Sequence, residues 1–207
     1  MPTKTFLDLP SQKQERIMNA ALTMFNRDGY DQSSVATLVK DAGIPRGSFY
    51  MYFEDLTDVF KHLLLEVQQH KLAYMMPVMK RLESTPFLDV YTDIVRAGLH
   101  FAQAYPQYYA LGLQIYRSHA LSMHAFFQPL EQQGMAMMAE WLKRDQHNGS
   151  IVEGVNTELI ARMLYRFNAF ELSELFYQGE TEETLIELTE DFITIVKQGC
   201  LKEDSHG

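Results

Sequence analysis

The sequence predicts an all-α protein with a small N-terminal head and a larger helical body. Three observations carry this. Apolar residues recur at i, i+3, i+4 and i+7 through most of the chain. Capping residues and glycines bracket those stretches. No segment reads as a strand, and no internal repeat or low-complexity tract interrupts the pattern. With 207 residues and 46% hydrophobic content, there is ample material for a core.

Residues 1–10, with Lys4 and Pro10, read as a loose arm. Ser11 looks like the N-cap of a first helix whose buried face is Ile17, Ala20, Ala21, Met24 and Phe25. Gly29 ends it, and Tyr30 offers a closing apolar contact. Ser33 or Ser34 caps a second helix with Val35, Leu38, Val39 and Ala42 on one face. Gly43 then suits a tight turn that needs positive φ, and Pro45 suits the first turn of a third helix. Phe49, Tyr52 and Phe53 share one face of that helix. Leu56, Val59, Phe60, Leu63, Leu64 and Val67 begin a long fourth helix that reaches about Pro77.

The body follows from about residue 80. Thr85 and Pro86 open a helix through about Ala104, and Pro106 opens another with Tyr108, Tyr109, Leu113 and Tyr116. A segment from Ser122 to His147 contains Pro129, which predicts a kink or a break. His147 to Ser150 is a turn, followed by loop to Asn156. Thr157 caps a helix to about Tyr177, closed by Gly179. Thr181 caps the last helix, with Glu182 and Glu183 well placed in its first turn. The helix from Thr157 is apolar on more than one side, so it is buried either between the domain core and a twin chain or in the interior of a monomer.

Composition bounds the function. Cys200 is the single cysteine, which excludes an internal disulfide and fits a cytoplasmic location. The N-terminus lacks the apolar run of a signal peptide. The uncharged stretch between Arg96 and Arg117 contains His100, three glutamines and Pro106, so a helix pair fits better than a membrane span. Net charge is −9, but it is unevenly spread. Residues 1–50 hold six Lys/Arg and five Asp/Glu, or +1, while the remainder holds twelve against twenty-two, or −10. Such a head is compatible with DNA only through a few well-placed cations.

Residues 42–53 are the stretch around which the chain is organised. They read as the turn and second helix of a helix-turn-helix. With Phe49, Tyr52 and Phe53 on one face, Arg46, Ser48 and Tyr50 are free on the other, and Gly47 permits close approach. A fork donor, a hydroxyl and a phenol suit base edges and phosphates. Arg46 serves as a base reader, as a phosphate clamp or simply as a surface arginine, and Tyr52 either as a phosphate contact or as core. Ser33 and Ser34 stand at a helix N-terminus, where capping and phosphate binding use the same geometry.

The run Ala21 to Tyr30, then Ser33-Ser34-Val35, then Ala42 to Phe53, resembles the DNA-binding domain of TetR-family transcriptional regulators. The resemblance covers roughly residues 12–60 in helix order, glycine positions and the Tyr-x-Tyr-Phe ending. It implies a head of residues 1–54 and a ligand-binding and dimerisation body of residues 55–207. It implies DNA contacts from Ser33, Ser34, Thr37, Pro45, Arg46, Gly47, Ser48, Tyr50 and Tyr52. It implies a homodimer through the last two helices, a double-stranded, palindromic operator, and a small-molecule effector in the body. The family usually has a lysine three residues after the final Phe; this chain has Leu56, after Glu54 and Asp55.

For the effector, aromatic and methionine residues offer Phe101, Tyr105, Tyr109, Tyr116, Phe126, Met138, Trp141, Met163, Phe167 and Phe170 as a hydrophobic lining. Each also suits plain core packing. Glu171 and Glu174 can meet a ligand cation, pair with Arg166 or face solvent. A lipophilic, often cationic compound and a fatty acyl compound both remain open. His62, Glu66 and His70 are spaced i, i+4, i+8, but the ligand count for a metal is not met, and no cofactor is expected. No nucleophile elbow or phosphate loop suggests an enzyme. The expectation is a ligand-responsive transcriptional regulator, more often a repressor. The alternative is a helical interaction protein whose head has lost specific DNA binding.

Overall fold

The computed structural model describes residues 2–117 and 121–200 of the backbone, excluding the side chains of 115–124 and of residue 200. Eleven α-helices occur among the described residues. They are α1 (Lys4–Leu7), α2 (Ser11–Asp28), α3 (Val35–Asp41), α4 (Arg46–Tyr52), α5 (Leu56–Met79), α6 (Phe87–Ala104), α7 (Pro106–Arg117), α8 (Leu121–His147), α9 (Thr157–Arg166), α10 (Ser173–Gln178) and α11 (Glu182–Cys200). A 3-10 turn, Lys80–Glu83, follows α5, and a π turn, Phe167–Leu172, joins α9 to α10. None of these helices is long and apolar enough to cross a membrane.

Packing groups them into two compact units: Met1–Leu72 with Phe101–Phe127, and Ala73–His100 with Gln128–Gly207. In the first, α2 buries Ile17, Ala21, Met24 and Phe25, the face its periodicity marks. They meet Leu38 of α3, Phe49 and Phe53 around α4, Val59, Phe60 and Leu63 of α5, and Leu111 of α7. The closing contact of Tyr30 is present: its ring stacks on Phe25 and meets Phe60 edge-on, and its hydroxyl lies 2.9 Å from Thr57 Oγ1. α2 also docks on α7, where Asn26 Nδ2 donates to Gln107 O at 3.0 Å.

The N-terminal arm is not loose. Residues 4–7 form α1, capped by Thr3, and Phe6 is fully buried between Tyr52 and Phe53. Burying a phenylalanine is worth about 1.5–3 kcal/mol, enough to hold a short helix that would not form alone. The first cap also differs from expectation. Pro10 occupies the N-cap position of α2, so Ser11 is the first helical residue.

In the second unit, Phe87, Val90, Tyr91 and Val95 of α6 pack with Leu142 of α8, Leu164 of α9, and Leu185 and Val196 of α11. The buried Tyr91 hydroxyl donates to Leu164 O at 2.7 Å, and burial pushes that phenol up. Asn156, rather than Thr157, caps α9: its side chain accepts from Leu159 N at 2.9 Å, and Thr157 is buried. α8 continues through Pro129 as one unbroken helix. Helix α9 continues into α10 through the π turn, where Ser173 Oγ donates to Asn168 O at 3.0 Å. Gly179 then stops the helix in the left-handed region, at φ 96°.

Candidate functional site

The helix-turn-helix is built by a helix stop followed at once by a helix start. α3 begins with the Ser34 side chain accepting from Thr37 N at 3.1 Å. It ends with Gly43 at φ 62°, a conformation that costs any residue with a Cβ about 1–2 kcal/mol. The Gly43 N–H donates to Lys40 O at 3.2 Å, and the Ile44 N–H to Val39 O at 3.0 Å. These two bonds are the pair that satisfies orphan carbonyls at a glycine-terminated helix, and the burial of Ile44 supplies the accompanying apolar contact. Pro45 follows as the N-cap of α4, with extended ψ of 143°.

α4 has two faces. Phe49 and Tyr52 are buried, as is Phe53 at its end. Pro45, Arg46, Gly47, Tyr50 and Met51 are exposed, and Ser48 is half-buried. A Cβ placed on Gly47 would meet no atom within 4 Å, so the surface stays open to close approach. Sequence reasoning missed Met51, whose exposure of 58% gives the face an apolar member beside Tyr50. Its spacing to Phe53 suggested no role.

The carboxyl end of α4 is pinned by the arm. Thr3 Oγ1 donates to Met51 O at 2.6 Å, and Thr3 N donates to Tyr52 O at 2.9 Å. Both carbonyls lie in the last turn, where intrahelical donors run out. Tyr52 is only 5% exposed, and its hydroxyl accepts from Lys13 Nζ at 3.1 Å. Ser33 Oγ donates to Gly29 O at 2.7 Å, and the Ser34 and Thr37 hydroxyls lie 2.8 Å apart. All nine nominated residues are therefore in the first unit, on or beside α3 and α4.

Charge around this face is mixed. Arg27 is committed to Asp28 at 2.7 Å and Asp41 at 3.3 Å. At the start of α5, Asp55 Oδ1 accepts from Asp58 N at 2.9 Å, and Asp58 Oδ2 accepts from Glu54 N at 3.3 Å. Leu56 is half-buried against the core rather than projecting a charge.

The nominated effector residues divide between the units. In the first, Phe101 is buried and its ring lies 5.5 Å from Tyr105, while Phe126 lies under Lys61 Nζ at 5.0 Å. Tyr109 is half-buried. In the second, Trp141 meets Phe87 at 5.2 Å, Phe167 stacks on Phe192 at 4.2 Å, and Met138 packs on the core. Met163 and Phe170 are exposed. The side chain of Tyr116 lies outside the described residues, as does that of Cys200. A groove of about 330 Å³ in the second unit is lined by Met135, Ala139, Lys143, Asn156, Leu159 and Arg162, among others. Its described lining contains none of the nominated aromatic residues. Glu171 is exposed, and Glu174 accepts from Gln178 Nε2 at 3.2 Å.

The α5 flank carries the titratable groups. His62 Nε2 lies 3.7 Å from Glu66 Oε1, and burial pulls the imidazole below its ordinary value. Burial pushes the Glu66 carboxyl up, against a smaller pull down from His70. The His70 ring lies 4.9 Å from Tyr105 and 5.4 Å from Tyr108. Among the described residues, no group of three or more His, Cys, Asp or Glu side chains is arranged to hold a metal ion.

Residues 17–63 match the family model for bacterial regulatory proteins of the tetR family. YvdT, an uncharacterised HTH-type transcriptional regulator of Bacillus subtilis (strain 168), is 32% identical over 72 residues, which is 35% of this chain and 34% of that protein. The matched segment thus spans about a third of the length of such curated relatives. In fold, the chain is similar over nearly all its length to a TetR family transcriptional regulator from Chloroflexus aurantiacus J-10-FL. The TM-score is 0.74 at 21% identity, covering 98% of this chain and 100% of that one. It is also similar to FadR from Bacillus subtilis, solved in complex with stearoyl-CoA, with TM-score 0.68 at 16% identity over 89% and 98% of the two chains. In sequence, the head thus matches the tetR family of bacterial regulatory proteins over residues 17–63, and along nearly its whole length the chain has the fold of a TetR family transcriptional regulator.

Proposed function

We propose that this chain is a homodimeric, ligand-responsive transcriptional regulator, acting as a repressor that a hydrophobic small molecule releases from a palindromic operator. One observation carries the reading: α4 is a helix with a buried aromatic back and an open front of Arg46, Gly47, Tyr50 and Met51. Residues 1–54 act as the DNA-binding head and 55–207 as the ligand-binding and dimerisation body. Arg46 reads a guanine edge through its fork. Ser33, Ser34, Thr37, Pro45, Gly47, Ser48, Tyr50 and Tyr52 fit the helix to the backbone.

Dimerisation uses α9, α10 and α11. Leu159 and Met163 of α9, Phe170 of the π turn, Tyr177 of α10 and Ile195 of α11 expose large apolar surface in the single chain. A twofold partner removes it from water and sets the distance between two recognition helices. The effector is a lipophilic or fatty acyl compound; similarity in fold to a FadR solved with stearoyl-CoA supports the acyl class. For release, the effector binds the non-DNA geometry more tightly than the DNA-bound one. α5, which runs from Leu56 to Met79, is the element proposed to carry that coupling.

The second reading, an interaction protein with a silent head, is favoured by the carboxylates of Glu54, Asp55 and Asp58 beside α4. Recovery and sequencing of genomic fragments bound by the purified dimer separates the two. One enriched palindrome supports the regulator. No enriched sequence from the wild-type protein, with a folded dimer verified, supports the interaction protein.

A further inference from the structure

We propose that Lys13, held against Tyr52, is a DNA-phosphate clamp at the carboxyl end of the recognition helix. The inference rests on the DNA-binding reading above and adds a residue that neither the motif nor the nominated set contains.

The argument begins with what that end of α4 lacks. The chain leaves Tyr52 and enters a carboxylate cluster. Asp55 and Asp58 spend their side chains on the backbone N–H groups of Asp58 and Glu54. Donors that would otherwise meet a phosphate are occupied, and the surrounding charge is negative. A DNA strand passing there needs a counter-charge from another element. Arg27 is committed to Asp28 and Asp41.

Lys13 comes from the first turn of α2, yet its ammonium is placed by α4. Nζ donates to Tyr52 Oη at 3.1 Å and lies 5.5 Å from the centre of the same ring. Tyr52 is itself fixed by Phe6, whose ring packs edge-on at 6.0 Å, and by Thr3 N donating to its carbonyl. A lysine usually loses rotamer entropy when it is ordered. Here much of that ordering is complete before DNA arrives, so a phosphate contact is less costly. Tyr52 takes one of the three ammonium donors, leaving two for phosphate oxygens. Lys13 also borders a shallow polar groove of about 650 Å³, together with Gln12, Glu15, Arg16 and Asn19. The arrangement gives buried Tyr52 a second role: it positions the cation.

The test is the salt dependence of binding for wild type, Lys13→Met and Lys13→Arg. The probes are a mixed-sequence DNA duplex long enough for two half-sites and the duplex enriched from genomic fragments. Lys13→Met keeps the apolar stem over the Tyr52 ring and removes only the charge, and circular dichroism verifies its fold. The expected result is weaker binding to both duplexes, a log–log salt slope smaller by about one for each bound protomer, and recovery of the slope in Lys13→Arg. A folded Lys13→Met with the wild-type slope overturns the clamp. If Arg46→Ala abolishes operator preference in that same series, the DNA-binding reading survives the loss. Should wild type bind neither duplex, the clamp and the reading fall together. If Lys13→Met does not fold, Lys13→Gln is measured under the same criteria; a Lys13→Arg slope below wild type also overturns the assignment.

Discussion

Asp145 of α8 accepts a hydrogen bond from the backbone N–H of Phe87 at 2.6 Å, with the carboxylate 3% exposed. Phe87 opens α6, so a buried anion caps that helix from another element. The neighbouring Arg144 pairs with Asp145 at 2.6 Å and donates to the carbonyls of Leu82 and Thr85. Together they tie the 3-10 turn and the start of α6 to the end of α8. Asp145→Ala is expected to destabilise the fold by about 3–5 kcal/mol, because it removes the acceptor of a helix N–H and the counter-charge of a partly buried guanidinium. Chemical denaturation measures this, and a loss below about 1 kcal/mol would remove Asp145 from that role.

The turn of the helix-turn-helix makes a sharper distinction. Gly43→Ala leaves open space around the new methyl but forces φ 62° on a residue with a Cβ. The expected cost is about 1–2 kcal/mol, with weakened DNA binding as α4 loses its fixed angle to α3. Gly47→Ala also has open space, but no positive φ. It is expected to leave the thermal midpoint near wild type while weakening DNA binding, since its methyl enters the approach surface. Equal thermal losses in the two variants would contradict this account of the turn.

These two cases mark what was legible in the sequence. The Gly43 turn, the buried stripe of α2, a serine cap at residue 33 or 34 and the aromatic back of α4 were readable because each is local. The seat of Phe6 was not, since its partners Tyr52, Phe53 and His62 lie far along the chain. Asp145 carried no signal either: a carboxylate near a helix end reads as solvated, and its partner lies 58 residues away. The π turn at Phe167–Leu172 leaves the apolar pattern intact, so the pattern gave only a continuous helix. The exposed face of α4 was legible because it lies on one local helix, whereas the contact of Lys13 with Tyr52 spans 39 positions.

The depressed imidazole of His62 has a definite pH consequence. Burial favours its neutral form in the folded state, and among the described residues nothing hydrogen-bonds its buried Nδ1. The unfolded chain therefore binds the proton more readily. This contribution is complete above the ordinary value of 6.5 and is lost as pH falls from there through the lower folded value. Denaturation midpoints of His62→Gln should fall less steeply below pH ~6.5 than those of wild type. Parallel pH profiles would show that His62 does not titrate on unfolding.

Dimerisation predicts a separation of folding from assembly. Phe170 and Ile195 are 45% and 67% exposed in the single chain. Phe170→Asp with Ile195→Asp should therefore keep helical content while sedimenting as a monomer. The same pair should lose operator affinity, because two half-sites are no longer engaged together. A double variant that remains dimeric places the interface elsewhere.

The central claim is that the open face of α4 reads DNA, and the most direct measurement is capture and sequencing of genomic fragments by wild type and by Arg46→Ala. The account predicts one palindromic sequence enriched by wild type. It predicts loss of that enrichment in a folded, dimeric variant, with about 1–3 kcal/mol forfeited at each half-site. Identical enrichment by both proteins would remove Arg46 as the reader, and absence of any enriched sequence from wild type would contradict the claim itself.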